Sequence, residues 1–205
     1  TARHVVHGCR KVYISNEIVK NIFIPPSSDL ALLVSNSFSG KNFKLSRFSS
    51  LDNSRKSQER LTVGDLGYSM GFPKGEPGEA RLKFAGYVTM IQQGAYNLKE
   101  PVKMWVETKR QPRSLDQMGG ISGGPIFNTE GSVVGVHVAN SIRKGRAFSV
   151  DEYAISWLVM AASKNNQLTK EGPKKQISDR NWSDIARTWR KNGRIKKVLC
   201  TISVS

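Results

Sequence analysis

The stretch MGGISGGPIF, residues 118–127, constrains this chain more than any other. Four glycines, Gly119, Gly120, Gly123 and Gly124, surround one serine. Glycine loses more backbone freedom on folding than any other residue, so such a cluster needs a local cause. It implies either a tight turn between strands or a loop whose backbone N–H groups converge on one point beside an exposed hydroxyl. A serine hydroxyl is a weak nucleophile that needs a base within hydrogen-bond reach and a group to orient that base. A tetrahedral acyl-transfer intermediate also needs backbone donors aimed at its oxyanion. In GGISGG the natural donors are the N–H groups of Gly120 and of Ser122 itself.

The surroundings of this loop read as β-structure. Short apolar or alternating runs separated by Gly, Pro, Ser and Asn clusters occupy most of residues 1–150: KVYI at 11–14, DLALLVS at 29–35, YVTMIQ at 87–92, VKMWVET at 102–108 and SVVGVHVA at 132–139. The Pro- and Gly-rich stretch GFPKGEPGE at 71–79 is expected to join two β units. After Val150 the period changes. Residues 151–163 carry apolar side chains at helical spacing, with Asp151 placed to cap the start. Residues 164–180 are polar and Lys-rich and read as a linker. Trp182, Ile185, Ala186 and Trp189 then form one helical stripe that Gly193 stops. The last stretch, KKVLCTISVS, alternates like a strand.

Three histidines exist: His4, His7 and His137. His4 lies in TARH, just before an apolar pair. His7 reads as a loop residue. Asp29 opens an apolar strand, where a carboxylate can be held at the edge of a core and accept a hydrogen bond from imidazole. Asp52 and Asp65 lie in polar or Gly-containing stretches that favour turns. His, Asp, Ser is one of the chain orders in which this triad recurs.

With those segments in view, TARH, DLALL and GISGGPIF followed by VVGVHV resemble the three catalytic segments and the pocket strand of the chymotrypsin-fold serine peptidases. The resemblance covers residues 1–160 in ordered pieces. It implies an all-β fold of two six-stranded antiparallel β-barrels with C-terminal helices: a first barrel over 1–75, a second over 80–150, a helix over 151–163, and a basic linker, amphipathic helix and terminal strand over 164–205. Almost nothing precedes His4, so the first barrel is expected to be N-terminally truncated, and the terminal strand is not expected to fill the gap. The resemblance also implies roles: His4 as general base, Asp29 as its orienting partner, Ser122 as nucleophile, and Gly120 with Ser122 as oxyanion hole. Ile121 stands where zymogen-activated members carry an Asp, which argues against activation by a freed N-terminus.

In the family the strand carrying His137 lines the specificity pocket. A histidine there resembles the glutamyl endopeptidases and the processing proteases of positive-strand RNA viruses, and implies cleavage after Glu or Gln. Imidazole can donate to either side chain. Alternation places Val134, Val136 and Val138 on one face of that strand and His137 on the other. Asp116, six residues before Ser122, offers a competing preference for Arg or Lys, and Gln117 is a further pocket candidate. The resemblance implies a host-cell cytoplasmic enzyme if viral and a secreted or periplasmic one if bacterial.

Charge sets the remaining alternatives. The chain carries 32 Lys and Arg against 16 Asp and Glu, a net charge of +16, which suits an acidic partner. A protease-fold binding module for RNA or protein is therefore the alternative to an enzyme. Trp182, Trp189 and RKNGRIKK in the basic tail could contact RNA by aromatic stacking and charge, or the tail could form an amphipathic helix packed on the barrel. No apolar run reaches the length of a membrane span. His4 and His7 have no second cluster at ligand spacing, and no phosphate-binding loop is present, so neither metal nor cofactor is expected. Cys9 and Cys200 are too few for a disulfide scaffold and leave the compartment open.

Overall fold

The computed structural model describes residues 1–35, 61–115, 117–141, 145–151, 154–155, 157–158 and 175–202. Its centre is a closed six-stranded antiparallel barrel in the order β10-β7-β6-β5-β8-β9. The strands are β5 (Leu66–Gly71), β6 (Gly78–Gln92), β7 (Leu98–Gln111), β8 (Pro125–Phe127), β9 (Val133–Ser141) and β10 (Arg146–Val150). Closure leaves no unpaired edge, which suits a basic chain rich in short apolar strands. Trp105, Tyr68, Ile126, Val102 and Val150 are fully buried in or around this barrel.

The barrel begins at β5, before the predicted boundary at residue 80. The Pro- and Gly-rich 71–79 stretch is therefore a connection inside one barrel and not a join between two units. Gly71 and Gly78 face one another as the last β5–β6 pair, and a 3-10 turn over Pro73–Gly75 fills the connection. Proline and glycine report a turn truthfully, but not what the turn connects.

The N-terminal part differs from the expected six-stranded barrel. Among the described residues it comprises helix α1 (Arg3–Val6), strands β1 (Lys11–Ile14), β2 (Glu17–Ile18), β3 (Asn21–Phe23) and β4 (Leu32–Val34), and the terminal strand β11 (Val198–Thr201). They form a three-stranded sheet, β11-β1-β2, and a two-stranded sheet, β3-β4. Contrary to expectation, the terminal strand joins this part of the molecule: β11 pairs along β1 from Lys11 with Thr201 to Ile14 with Val198. A disulfide between Cys9 and Cys200 fastens it there. Val6, Val12, Ile14, Val19 and Ala31 form the core beneath, with Val198 packed against it.

Helix α2 (Trp182–Lys191) buries the predicted stripe of Trp182, Ile185, Ala186 and Trp189. Trp189 lies 4.5 Å from Phe127 between ring centroids, and Trp182 lies 6.0 Å from Tyr68. On its flank Arg190 donates to the Glu79 carboxylate at 2.7 Å. Gly193, at φ +80°, follows the helix end. The end of the predicted linker is docked: Ile177 is buried and its N–H donates to the Thr129 carbonyl. Residues 164–174 lie outside the described residues. Of the 151–163 segment, residues 154, 155, 157 and 158 are helical, and the Ala154 N–H donates to the Asp151 carboxylate at 3.2 Å. No helix among the described residues is long and apolar enough to cross a membrane.

Candidate active site

His4 sits in the four-residue helix α1, and Asp29 immediately precedes the Leu30–Ala2 bridge that ties the two segments together. Their backbones are joined again where the Arg3 N–H donates to the Asp29 carbonyl. This pairing aims the side chains at each other. The His4 Nδ1–H meets Asp29 Oδ2 at 2.6 Å, and the His4 backbone N–H donates to Oδ1 at 2.9 Å. Asp29 is 1% exposed, while the His4 side chain is 33% exposed. A buried carboxylate thus holds one ring nitrogen, and Nε2 faces no protein partner among the described residues.

The carboxylate has two further neighbours that the sequence did not reveal. The Tyr96 hydroxyl donates to Asp29 Oδ1 at 2.8 Å, and burial together with Asp29 pushes the phenol up to about 12. Glu100 accepts from the Asp29 N–H at 2.9 Å and is itself buried, which raises its carboxyl above the usual range. Both lie on or beside the long β6–β7 hairpin. No local pattern marks them, since only the three-dimensional crossing of that hairpin brings them to Asp29.

The Ser122 loop packs directly on the segment preceding His4. Gly123 has φ +87°, and a Cβ there would lie 2.2 Å from Thr1 Oγ1 and 2.9 Å from the Ala2 nitrogen. The first possibility, a mere strand turn, does not require so close an approach. The Gly123 N–H donates to the His137 carbonyl at 2.7 Å, and the His137 N–H to the Gly124 carbonyl at 2.9 Å. The Ile121 and Gly124 amides are likewise bonded within the chain. The Gly120 and Ser122 amides donate to no described acceptor, and Gly120 takes a left-handed φ of +86° that glycine accommodates without strain. Ile121 is buried at 1% exposure and anchors the loop from below. A cavity of about 500 Å³ is lined by Gly120, Ser122 and Gly124 together with Leu32, Leu33, Arg194 and Lys197.

His137 is fully enclosed at 1% exposure. Its Nε2 meets Asn140 Oδ1 at 2.9 Å and its Nδ1 meets the Ser69 hydroxyl at 3.3 Å. Because the Asn140 oxygen only accepts, Nε2 carries the proton. Burial outweighs the opposing pull of the Asn140 and Ala139 groups and lowers the imidazole to about 4. The simple alternation expected for β9 does not hold. Register shifts against β8 and β10 insert extra residues at Val134 and Val138, so Val134 packs with Trp105 and Ala147 while Val138 packs with Phe127 and Val150. Bulges of this kind re-aim neighbouring side chains, here those flanking His137.

Of the other candidates, Gln117 lies beside the loop, its Oε1 3.9 Å from where a Gly119 Cβ would be. Asp116 and Asp52 lie outside the described residues. Asp65 accepts from the Thr62 N–H within a turn, as its sequence setting suggested. His7 stacks against Tyr96 at 4.9 Å. Trp182 and Trp189 are 3% and 2% exposed, so neither can stack on RNA bases, and the tail takes the amphipathic-helix form instead. Among the described residues no cluster of His, Cys, Asp and Glu could hold a metal ion.

Residues 1–136 match the trypsin-like peptidase domain family. Among solved structures, the inactive form of a serine-to-alanine mutant of Rv3671c from Mycobacterium tuberculosis H37Rv is similar over 82% of this chain and 78% of that one, with a TM-score of 0.58 and 16% identity. The active form of the Rv3671c protease is similar over 87% of this chain and 70% of that one, with a TM-score of 0.57 and 19% identity. At these identities the likeness is one of fold. No curated protein matches the chain.

Proposed function

The chain belongs to the trypsin-like peptidase domain family, and on that premise we propose that it is a serine endopeptidase working through Ser122, His4 and Asp29. The observation that carries this reading is the 2.6 Å bond between His4 and the buried Asp29 carboxylate, set beside a Ser122 loop in which two amides donate to no described acceptor. In this reading Ser122 Oγ attacks the scissile carbonyl carbon as His4 Nε2 takes its proton. Asp29 holds the tautomer with hydrogen on Nδ1 and stabilises the imidazolium that forms. The Gly120 and Ser122 N–H groups receive the oxyanion. His4 then protonates the departing amine, and water hydrolyses the acyl-enzyme by the same steps in reverse order.

For specificity we infer Glu or Gln before the cut, the preference of the glutamyl endopeptidases and viral processing proteases that the strand resembles. Asn140 Oδ1 occupies the Nε2 donor of His137, and a substrate side-chain carbonyl that displaced it would be met like for like. With the ring neutral, a Gln amide is matched by a single donor. A Glu carboxylate would lose its hydration without gaining a counter-charge from His137, so Gln is favoured over Glu. Gln117 lies beside the loop as a further candidate for contact with that side chain, and Asp116 would instead favour Arg or Lys.

The test is cleavage of fluorogenic peptides bearing Glu, Gln, Arg or Phe before the cut, by wild type and by Ser122→Ala. Cleavage after Gln and Glu that is lost in the variant supports nucleophile and pocket together. Cleavage after Arg transfers specificity to Asp116. No cleavage of any peptide overturns the enzyme reading in favour of a binding module.

A further inference from the structure

We propose that Tyr96 is a positioning residue for the His4–Asp29 pair, clamped by the helix that carries His4 and donating from the barrel to the carboxylate; this rests on the peptidase reading above. Asp29 accepts three hydrogen bonds on its carboxylate. Two come from His4 itself, through its backbone N–H and Nδ1. The third, from the Tyr96 hydroxyl at 2.8 Å, comes from the barrel, across a sequence separation of 67. It lands on Oδ1, the oxygen that Nδ1 does not use, and so fixes the rotation of the carboxylate that points Oδ2 at the imidazole.

The Tyr96 ring is placed for this task by the residues flanking His4. The Arg3 guanidinium lies 4.0 Å from the ring centroid, and the ring of His7, four residues on at the end of the same short helix, lies 4.9 Å from it. A cation over the ring face is attracted to its negative quadrupole. Helix α1 and the β6–β7 hairpin therefore grip each other around Tyr96, so the phenol moves with His4. The half-buried phenol stays protonated up to about 12 and remains a donor at any working pH. On strand β7, Glu100 receives the Asp29 N–H, so the same hairpin fixes both backbone and side chain of Asp29.

Tyr96→Phe removes one oxygen and keeps the ring's contacts with Arg3 and His7. The expected result is a fall in kcat of about tenfold, the loss fitting one hydrogen bond to a charged group, with KM and melting temperature unchanged. The proton bound between His4 Nδ1 and Asp29, followed by NMR in the whole chain, is expected to shift, since the carboxylate loses a competing donor. An unshifted resonance overturns the proposal, as does a variant in which kcat, KM and melting temperature fall together. Tyr96→Leu, which also removes the ring, is expected to lower kcat further; equal rates for the Phe variant and wild type count against the hydroxyl. If wild type cleaves no peptide, the peptidase reading fails by itself, and the resonance in Tyr96→Phe still decides whether the hydroxyl acts on the pair.

Discussion

Lowering the pH from 7 to 4 should cost this protein stability through His137 in a way a single substitution can isolate. In the unfolded chain this imidazole titrates near 6.5, and in the folded protein burial brings it down to about 4. The unfolded state therefore binds a proton first as the pH falls. The stability that comes from keeping His137 neutral is fully present above 6.5 and drains away as the pH drops through about 4. That interval corresponds to about 3 kcal/mol. The whole of it applies, because the ring is 1% exposed and bulk solvent does not screen it. The comparison is wild type with His137→Gln, which takes up no proton in this range. Urea unfolding, followed by fluorescence of the buried Trp105, Trp182 and Trp189, gives the free energy at each pH. Carboxylates contribute equally to both proteins, so the difference between the curves should close by about 3 kcal/mol between pH 7 and 4. Parallel curves would refute the reasoning and show that the imidazole titrates freely, in contact with water.

Two further outcomes follow from the packing. Gly123→Ala should destabilise the fold by more than the roughly 1–2 kcal/mol of a left-handed alanine, because its Cβ would also strike Thr1 and the Ala2 backbone; thermal unfolding and peptide cleavage should fall together. Reduction of the Cys9–Cys200 disulfide should lower stability by about 2–5 kcal/mol, and hydrogen exchange should show the loss at β11 and its partner β1; an unchanged melting temperature in reductant would contradict this.

How much of the molecule was legible in its sequence depends on how local each determinant is. The Ser122 loop is written in adjacent residues, because each left-handed turn demands glycine at that position. The α2 stripe is written at a spacing of three and four, and the structure buries each of its four members. Strand existence was equally plain at 11–14, 102–108 and 132–139. What failed was association over distance. The 71–79 turn could not show which strands it joined. β11 could not be assigned to β1 without knowing that Cys9 and Cys200 approach to 5.4 Å between Cα atoms. Tyr96 was invisible for the same reason, since its role arises where one hairpin crosses another segment. The β9 alternation failed more subtly: a bulge changes which face a residue takes without changing the residues.

The covalent tie between residue 9 and residue 200 also makes the stretch between them mechanically a closed ring. Tension applied on the outer sides of the two cysteines passes through the sulfur–sulfur bond and bypasses the 191 intervening steps of chain. Fully drawn out, that stretch would measure about 650 Å, so a single-molecule pull should show this length only after a reductant has been added. While the bond lasts, the barrel strands are shielded from that load, which reaches the molecule at the β1–β11 corner and through residues 1–8, bonded to Asp29 and packed on the Ser122 loop.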